Sequence, residues 1–169
     1  MHKIPLSGKS QYDQDIDEKF RSSACGPVTA YVILRHWNVL PNLPVNSLYK
    51  QLGGTKIGLF RWRFLRNLKK LLGPSWQVEP CTIDELKTEI QEGRPVAAKF
   101  DKWFTFHWFG TYTFDYHWVP VVGFEQSEHD ITLLIHDNGG RQRESHLRKI
   151  SYKQNEPILS FVKIRKIAA

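Results

Sequence analysis

The sequence predicts an α+β protein in which helices come first along the chain and antiparallel strands follow. Apolar residues recur at helical spacing up to about residue 93 and at strand-like spacing from about residue 95. The 169 residues are 41% hydrophobic and 13% aromatic, which is enough for a substantial core and typical of a globular protein. That order predicts a single domain over 1–169 with two lobes, a helical lobe at about 20–93 and a sheet lobe at about 95–167.

The composition excludes several classes of protein. Two cysteines, Cys25 and Cys81, are too few for a disulfide framework, and their spacing fits no zinc motif, so we predict no metal and no other cofactor. The sequence has no run of eighteen consecutive apolar residues, so no transmembrane helix is predicted. The first residues also have no apolar core of signal-peptide length. The chain as written predicts a cytoplasmic protein, or a secreted or membrane-anchored one if a leader has been removed.

The first predicted helix begins beside Cys25 and runs to about His36 or Trp37. Pro27 suits a first helical turn because the N–H group that it lacks would have no partner there. Ser22 or Ser23 could cap the helix. A thiol at this end lies near the positive pole of the helix dipole, which favours a nucleophilic thiolate. A buried structural cysteine is the alternative.

Three further helices are predicted before residue 95. The first of them spans 45–51. The last of them follows a capping box formed by Thr82 and Glu85 and ends at Gly93. The second, at 58–72, is strongly amphipathic and carries five cations without an acid. Its basic face could bind an anionic partner, but a core-packed helix with a solvated basic face is the favoured interpretation.

The predicted strands lie mostly in the second half of the chain. Nine aromatic residues between 103 and 118, with Gly110 near the middle, predict a long hairpin. The turn at 137–140, Asp-Asn-Gly-Gly, is a strong turn signal. The other predicted strands are an edge strand near Ile4 and Leu6, and segments at 76–79, 95–100, 118–124, 130–136 and 158–167.

Among the seven histidines, His117 is the best candidate for a catalytic base. It opens the strand at 118–124, and Asp137 lies at the end of the next strand. In an antiparallel pair the start of one strand meets the end of the other, so His117 and Asp137 should be neighbours although they are twenty positions apart. A cysteine nucleophile needs such a base, a group that orients it, and donors for the oxyanion.

Five short motifs then occur in the order of a known family. They are Ser-Gln-Tyr-Asp at 10–13, Ala-Cys-Gly-Pro at 24–27, Gly-Arg-Pro-Val at 93–96, Tyr-His-Trp-Val-Pro-Val-Val-Gly-Phe at 116–124 and Asp-Asn-Gly at 137–139. Together they resemble the papain-like cysteine peptidases of the bacteriocin-processing, double-glycine leader type, in particular relatives that carry no transporter. The resemblance implies a papain-like fold and a peptide substrate.

The same resemblance implies roles for four residues: Cys25 as nucleophile, His117 as general base and then acid, Asp137 as orienter of the imidazole, and Gln11 as oxyanion donor. Gln11 lies farther from the cysteine than is usual in the family, which leaves Gln14 as a rival. Many relatives have Asp-Pro where this chain has Asp137 followed by Asn138, so Asn138 could orient the imidazole instead.

Three other functions fit parts of the sequence. A transferase or amidase on the same scaffold would use the same residues. A non-catalytic binding module is disfavoured because the cysteine, histidine, aspartate and glutamine are all present. A nucleic-acid or cell-envelope binder could use the basic helix and the aromatic segment, but the aromatics are not interleaved with cations, so we expect no nucleic-acid partner.

Overall fold

The structure, a computed structural model, describes residues 1–167. Its helices are α1 (Glu18–Arg21), α2 (Cys25–His36), α3 (Val45–Leu52), α4 (Arg61–Leu72), α5 (Ile83–Gln91) and α6 (Tyr152–Asn155), the last followed by a 3₁₀ turn at Glu156–Ile158. Its strands are β1 (His2–Lys3), β2 (Trp76–Cys81), β3 (Val96–Asp101), β4 (Tyr116–Gln126), β5 (Ile131–His136), β6 (Leu147–Ser151) and β7 (Leu159–Lys166).

All seven of these strands form one antiparallel sheet with the order β2-β7-β3-β4-β5-β6, and β1 adds to β4. The pairing of β4 with β5 shifts register between Val121 and Gly123. Gly123 also lies against β1, where a Cβ atom would come within 2.5 Å of the His2 carbonyl oxygen. The glycine is therefore required for the close approach of the first strand.

The two faces of the sheet bury separate cores. One face packs against α2, α3 and α4, and its centre is Trp118, stacked on Phe64 at 4.4 Å between ring centroids. The other face packs against α5 through Leu86 and Ile90. Helices and an antiparallel sheet thus form the two parts of the molecule, which confirms the predicted α+β class.

The sheet and the helix that covers it include residues from outside the predicted sheet lobe at 95–167. β2 comes from the predicted helical lobe but pairs along its whole length with β7, and α5 from the same region covers the sheet. The edge strand near the N-terminus is β1, and Ile4 only follows it. The short helices α1 and α6 and the strand β6 were not predicted. β6 is an edge strand in which only Ile150 is buried, so its sequence lacks an apolar alternation.

The predicted hairpin at 103–118 is wrong. β3 ends at Asp101, because Asp101 Oδ1 accepts the N–H groups of Trp103 (3.1 Å) and Phe104 (3.0 Å) and so bends the chain out of the sheet. Residues 102–115, which we call the aromatic loop, contain no strand. Five of its aromatic side chains are at least half exposed: Trp103, Phe104, Phe106, Trp108 and Phe109.

The basic helix α4 begins at Arg61 rather than at residue 58. Gly58 has a φ of 115°, a conformation that a helix does not use, and it pairs with Thr55 in a tight bridge. Phe64 and Leu68 are buried on the inner side of α4. Within residues 1–167, every helix is too short or too polar to cross a lipid bilayer.

Candidate active site

Cys25 is the first residue of α2 and is buried, with 4% of its surface exposed. The N-cap is Ala24 and provides no side-chain cap, so the prediction that Ser22 or Ser23 caps the helix is wrong. Ser23 instead makes a 2.8 Å hydrogen bond with the Tyr49 hydroxyl. As a result the first N–H groups of α2, including that of Cys25, have no capping side chain and can receive a ligand oxygen.

The Cys25 thiol is surrounded by backbone donors and one cation. Burial raises its pKa above the ordinary value, and this outweighs the opposing influence of the Trp118 and Gly26 N–H groups and of the Lys99 charge. The expected lowering by the helix dipole is therefore not the dominant effect. The resting cysteine is a neutral thiol, which needs a base before it can act as a nucleophile.

His117 is the second residue of β4 and directly precedes Trp118. Its Nε2 atom lies 2.8 Å from the backbone carbonyl oxygen of Asp137. A carbonyl only accepts hydrogen bonds, so Nε2 carries the proton and Nδ1 is left as the basic nitrogen. Burial lowers the pKa of His117 below its ordinary value, so the imidazole is neutral near pH 7.

Asn138 Nδ2 donates to the carbonyl oxygens of both Cys25 and Trp118, and so holds Cys25 beside the residue that follows His117. Among residues 1–167, the His117 ring makes its hydrogen bond with the Asp137 backbone, and the thiol is not one of its hydrogen-bond partners. A direct bond between the thiol and the imidazole therefore stays a prediction.

Asp137 is buried just after β5 and is next to His117, as the antiparallel pairing requires, but its carboxylate is engaged elsewhere. Oδ1 accepts the N–H groups of Gly139 (3.0 Å) and His146 (2.9 Å), and Oδ2 pairs with Arg143 at 2.9 Å. Burial opposes ionisation, but these bonds hold the pKa of Asp137 below its ordinary value. The side chain closes the loop after β5, and its main chain contacts the imidazole.

The side-chain amide of Asn138 makes no hydrogen bond with His117 among the residues described. Its Nδ2 group donates to the carbonyl oxygens of Trp118 (2.6 Å) and Cys25 (3.3 Å) and to Thr29 Oγ1 (3.0 Å). The residue is fully buried, and its φ of 59° is a left-handed conformation that asparagine tolerates. Asn138 therefore ties the start of α2 to β4 and fixes the position of the cysteine relative to the histidine strand.

Gln11 and Gln14 differ in their surroundings. Gln11 is buried, its backbone N–H donates to the Asn138 carbonyl oxygen (2.9 Å), and its Nε2 donates to the Arg21 carbonyl oxygen (2.7 Å). An amide Nε2 has two hydrogens, so one remains for an oxyanion. Gln14 is exposed. The structure therefore holds Gln11, and not Gln14, in a fixed place between the loop after β5 and the segment before α2.

Cys81 lies at the end of β2 and packs with the core on the α5 face, opposite the face that buries Cys25. Burial, with a contribution from the nearby Glu85 charge, raises the pKa of Cys81 to about 12. That environment suits an unreactive thiol. Residues 1–167 contain no group of three or more histidine, cysteine, aspartate or glutamate side chains arranged to hold a metal ion.

Sequence reasoning missed two cations near these residues, Lys99 and Arg143. Lys99 lies in a fully buried strand of the pattern Val-Ala-Ala-Lys-Phe-Asp, and a lysine within a buried strand was the available signal. Arg143 lies in a polar stretch after the turn and gave no signal, because its contact with Asp137 depends on how that loop folds back.

Comparison with known proteins identifies the family. No curated protein matches the chain. The family model described as Peptidase_C39 like family matches residues 3–168, nearly the whole chain. Together with the α+β fold, this match indicates a function related to that of cysteine peptidases. The chain belongs to the Peptidase_C39-like family and is a relative of the papain-like C39 peptidases.

Proposed function

We propose that this protein is a cysteine peptidase that cleaves peptide bonds with Cys25 as nucleophile and His117 as general base. The observation that carries the proposal is the position of Cys25 beside the residue after His117, where Asn138 holds it, together with the bond from His117 Nε2 to the Asp137 carbonyl oxygen. This arrangement supports a neutral thiol beside a neutral base with Nδ1 free.

In the proposed reaction His117 Nδ1 removes the proton from the Cys25 thiol, and the thiolate attacks the carbonyl carbon of the scissile peptide bond. The negative charge moves to the carbonyl oxygen, where the N–H group of Cys25 and the free N–H of the Gln11 amide would stabilise it. The imidazolium then gives its proton to the leaving amine. A water molecule, deprotonated by His117, hydrolyses the thioester and releases the acid.

The orienting role belongs to the main chain of Asp137 in this proposal. The neighbouring carboxylate acts through its charge, which raises the pKa of His117 and so opposes the effect of burial. It would stabilise the imidazolium that forms during the reaction, without taking the proton. Asn138 is a positioning residue, because it holds α2 against β4 and touches no reacting atom.

The experiment is digestion of a peptide library, including sequences with small residues such as Gly-Gly before the cut, followed by mass spectrometry. Cleavage by the wild type and none by Cys25→Ala would support the proposal. Transfer of the acyl group to an added amine without hydrolysis would favour the transferase alternative. No Cys25-dependent turnover of any peptide, with the fold intact, would contradict the proposal.

The exposed side of α4 supports a weaker proposal, an anionic partner. Arg66, Lys69 and Lys70 are exposed there, and α4 has no acidic residue in its first turn. Binding of a polyanion should weaken as salt rises, because exposed charges are screened. Equal binding by a Lys69→Gln, Lys70→Gln double variant would remove this proposal.

A further inference from the structure

A pocket of about 550 Å³ lies between α4, the aromatic loop and the sheet. Its walls are aromatic: Phe60 precedes α4, Trp62 lies in its first turn and Phe104 comes from the loop. Phe60 and Phe104 meet edge to face, with ring centroids 5.8 Å apart. Trp62 is 56% exposed and Phe104 62% exposed, so the walls present apolar surface to solvent. The volume is in the usual range for small-molecule sites.

Charged groups line the same pocket. Lys99 and Asp101 come from β3, are both nearly completely buried, and form an ion pair with Nζ and Oδ2 2.9 Å apart. Asp101 is already satisfied, since its other oxygen accepts the two loop N–H groups described above. Lys99 uses one of its three donors on Asp101, and its ammonium lies 5.9 Å from the centre of the Phe104 ring.

Arg61 adds a second cation to the pocket, and its Nε atom is buried without a hydrogen-bond partner among residues 1–167. Nε itself is out of reach of solvent, so a ligand in the pocket would bind the other N–H groups of the guanidinium, which has no ion-pair or hydrogen-bond partner in the part of the chain that the structure describes. The pocket lining therefore has two cations against one carboxylate that is fully occupied. α4 begins here with no side-chain cap and no acid in its first turn, which adds to the positive potential.

We propose that this pocket binds an amphipathic carboxylate, a molecule with an apolar body and one anionic head. The body fills the space between the aromatic walls, and the head accepts hydrogen bonds from Arg61 and from the free donors of Lys99. A neutral or cationic molecule with the same body leaves these donors unpaired. The proposal goes beyond the peptidase function: Lys99 lines the pocket and its charge also acts on the Cys25 thiol, but binding requires neither Cys25 nor His117.

The test is isothermal titration calorimetry of the full chain with octanoate and with 4-phenylbutanoate. Octan-1-ol and octyltrimethylammonium serve as neutral and cationic controls with the same alkyl body. We expect at least one carboxylate to bind about tenfold or more tightly than the alcohol, the order expected for a charge-assisted bond. Tighter binding of either carboxylate supports the proposal and identifies the body as aliphatic or aromatic.

Variants of residues in the pocket test whether octanoate binds there. Arg61→Gln should weaken octanoate binding about tenfold, and Trp62→Ala should weaken it by removing a wall. Arg141→Gln is the control, because Arg141 is exposed and lies outside the pocket, and it should bind as the wild type. Lys99 is left unchanged, because its replacement would leave Asp101 as an unpaired buried carboxylate.

Cys25→Ala should also bind as the wild type, which separates this proposal from the peptidase proposal. Equal affinity for the carboxylates, the alcohol and the ammonium compound would overturn it, since binding would then depend on apolar contact alone. Undiminished octanoate binding by both Arg61→Gln and Trp62→Ala would also overturn it, because the ligand would then occupy another place. No binding of either carboxylate at millimolar concentration has the same consequence.

Discussion

His117 Nε2 is hydrogen-bonded to the main-chain oxygen of Asp137, at 2.8 Å, and not to its carboxylate. A backbone carbonyl cannot change its protonation state and does not depend on the identity of the side chain. The histidine is therefore held in one tautomer by the path of the chain after β5. The Asp137 side chain contributes by shaping that path, through its bonds to Gly139, His146 and Arg143.

Replacement of Asp137 by Asn tests this relationship. An amide oxygen can still accept the two backbone N–H groups that hold the carbonyl in place, so the histidine keeps its tautomer, and only the partly exposed ion pair with Arg143 is lost. We expect kcat/KM for a cleaved peptide to fall by less than about tenfold, from the loss of the carboxylate charge. Where a carboxylate itself orients the histidine, the same change costs on the order of 10⁴ in kcat. A loss of that size would show that the side chain orients His117.

The lowered pKa of His117 also predicts how the stability of the protein depends on pH. The pKa of this histidine in the folded protein is lowered from 6.5 by burial, so below pH 6.5 the unfolded chain binds a proton that the folded protein does not. The stabilising contribution is complete above pH 6.5 and is lost as the pH falls from there towards the folded pKa. His136, whose pKa burial also lowers, acts in the same direction.

Denaturant unfolding of wild type and His117→Gln at several pH values between 7.5 and 5, a range that brackets the ordinary histidine pKa, measures this effect. The variant should lose less of its free energy of unfolding on acidification than the wild type, with His136 as one source of the remaining loss. An identical loss in both proteins would show that His117 titrates as an ordinary histidine.

Replacement of Asn138 by Gly should destabilise the protein without straining the backbone, since glycine accepts a φ of 59°. The two hydrogens of Nδ2 are shared among three acceptors, so the change removes about two full hydrogen bonds of about 1 kcal/mol each, and the free energy of unfolding should fall by about 2 kcal/mol. Asn138→Ala adds the strain of a left-handed residue and should be less stable still. Unchanged stability in the glycine variant would mean that Asn138 does not tie α2 to β4.

Gln11→Ala should reduce turnover about a hundredfold or more, the usual cost of losing one oxyanion donor. It also removes the bond to Arg21, so thermal unfolding must show that the variant is folded at the assay temperature. Gln14→Ala is the matched control and should have wild-type activity, because Gln14 is exposed. The reverse pattern would assign the oxyanion role to Gln14.

The two cysteines should respond oppositely to replacement. Cys25→Ala and Cys25→Ser should abolish cleavage, since a serine hydroxyl is a far poorer nucleophile beside a base suited to a thiol. Cys81→Ser should retain most of the activity, because Cys81 lies on the other face of the sheet with a pKa of about 12. Equal loss in the Cys81 and Cys25 variants would contradict the peptidase proposal.

Much of the fold follows from local signals that the tertiary structure does not override. The helix after Thr82 is such a case, since its capping box forms as predicted, with Glu85 N donating to Thr82 Oγ1 at 3.2 Å. The aromatic loop is the opposite case. Aromatic residues favour strands, but the Asp101 side chain captures the next backbone N–H groups, and no partner strand competes for them.

The candidate site is also only partly readable from sequence. The pairing of strands placed His117 beside Asp137, because register follows from topology. The choice between carboxylate, amide and main-chain oxygen depends on rotations within the turn at 137–140, where Asn138 adopts a left-handed conformation. Spacing along the chain does not encode which of these atoms faces the imidazole.

The position of β7 in the sheet affects when the sheet can form. β7 is the last strand in chain order among residues 1–167, yet it lies between β2 and β3 and pairs with both. Until it arrives, β2 has no neighbour in the sheet, and the outer edge of β3 is unpaired. The helices around Cys25 can form from local contacts, but the sheet beneath them closes only once β7 is available, so this closure depends on pairing between segments that are distant in sequence.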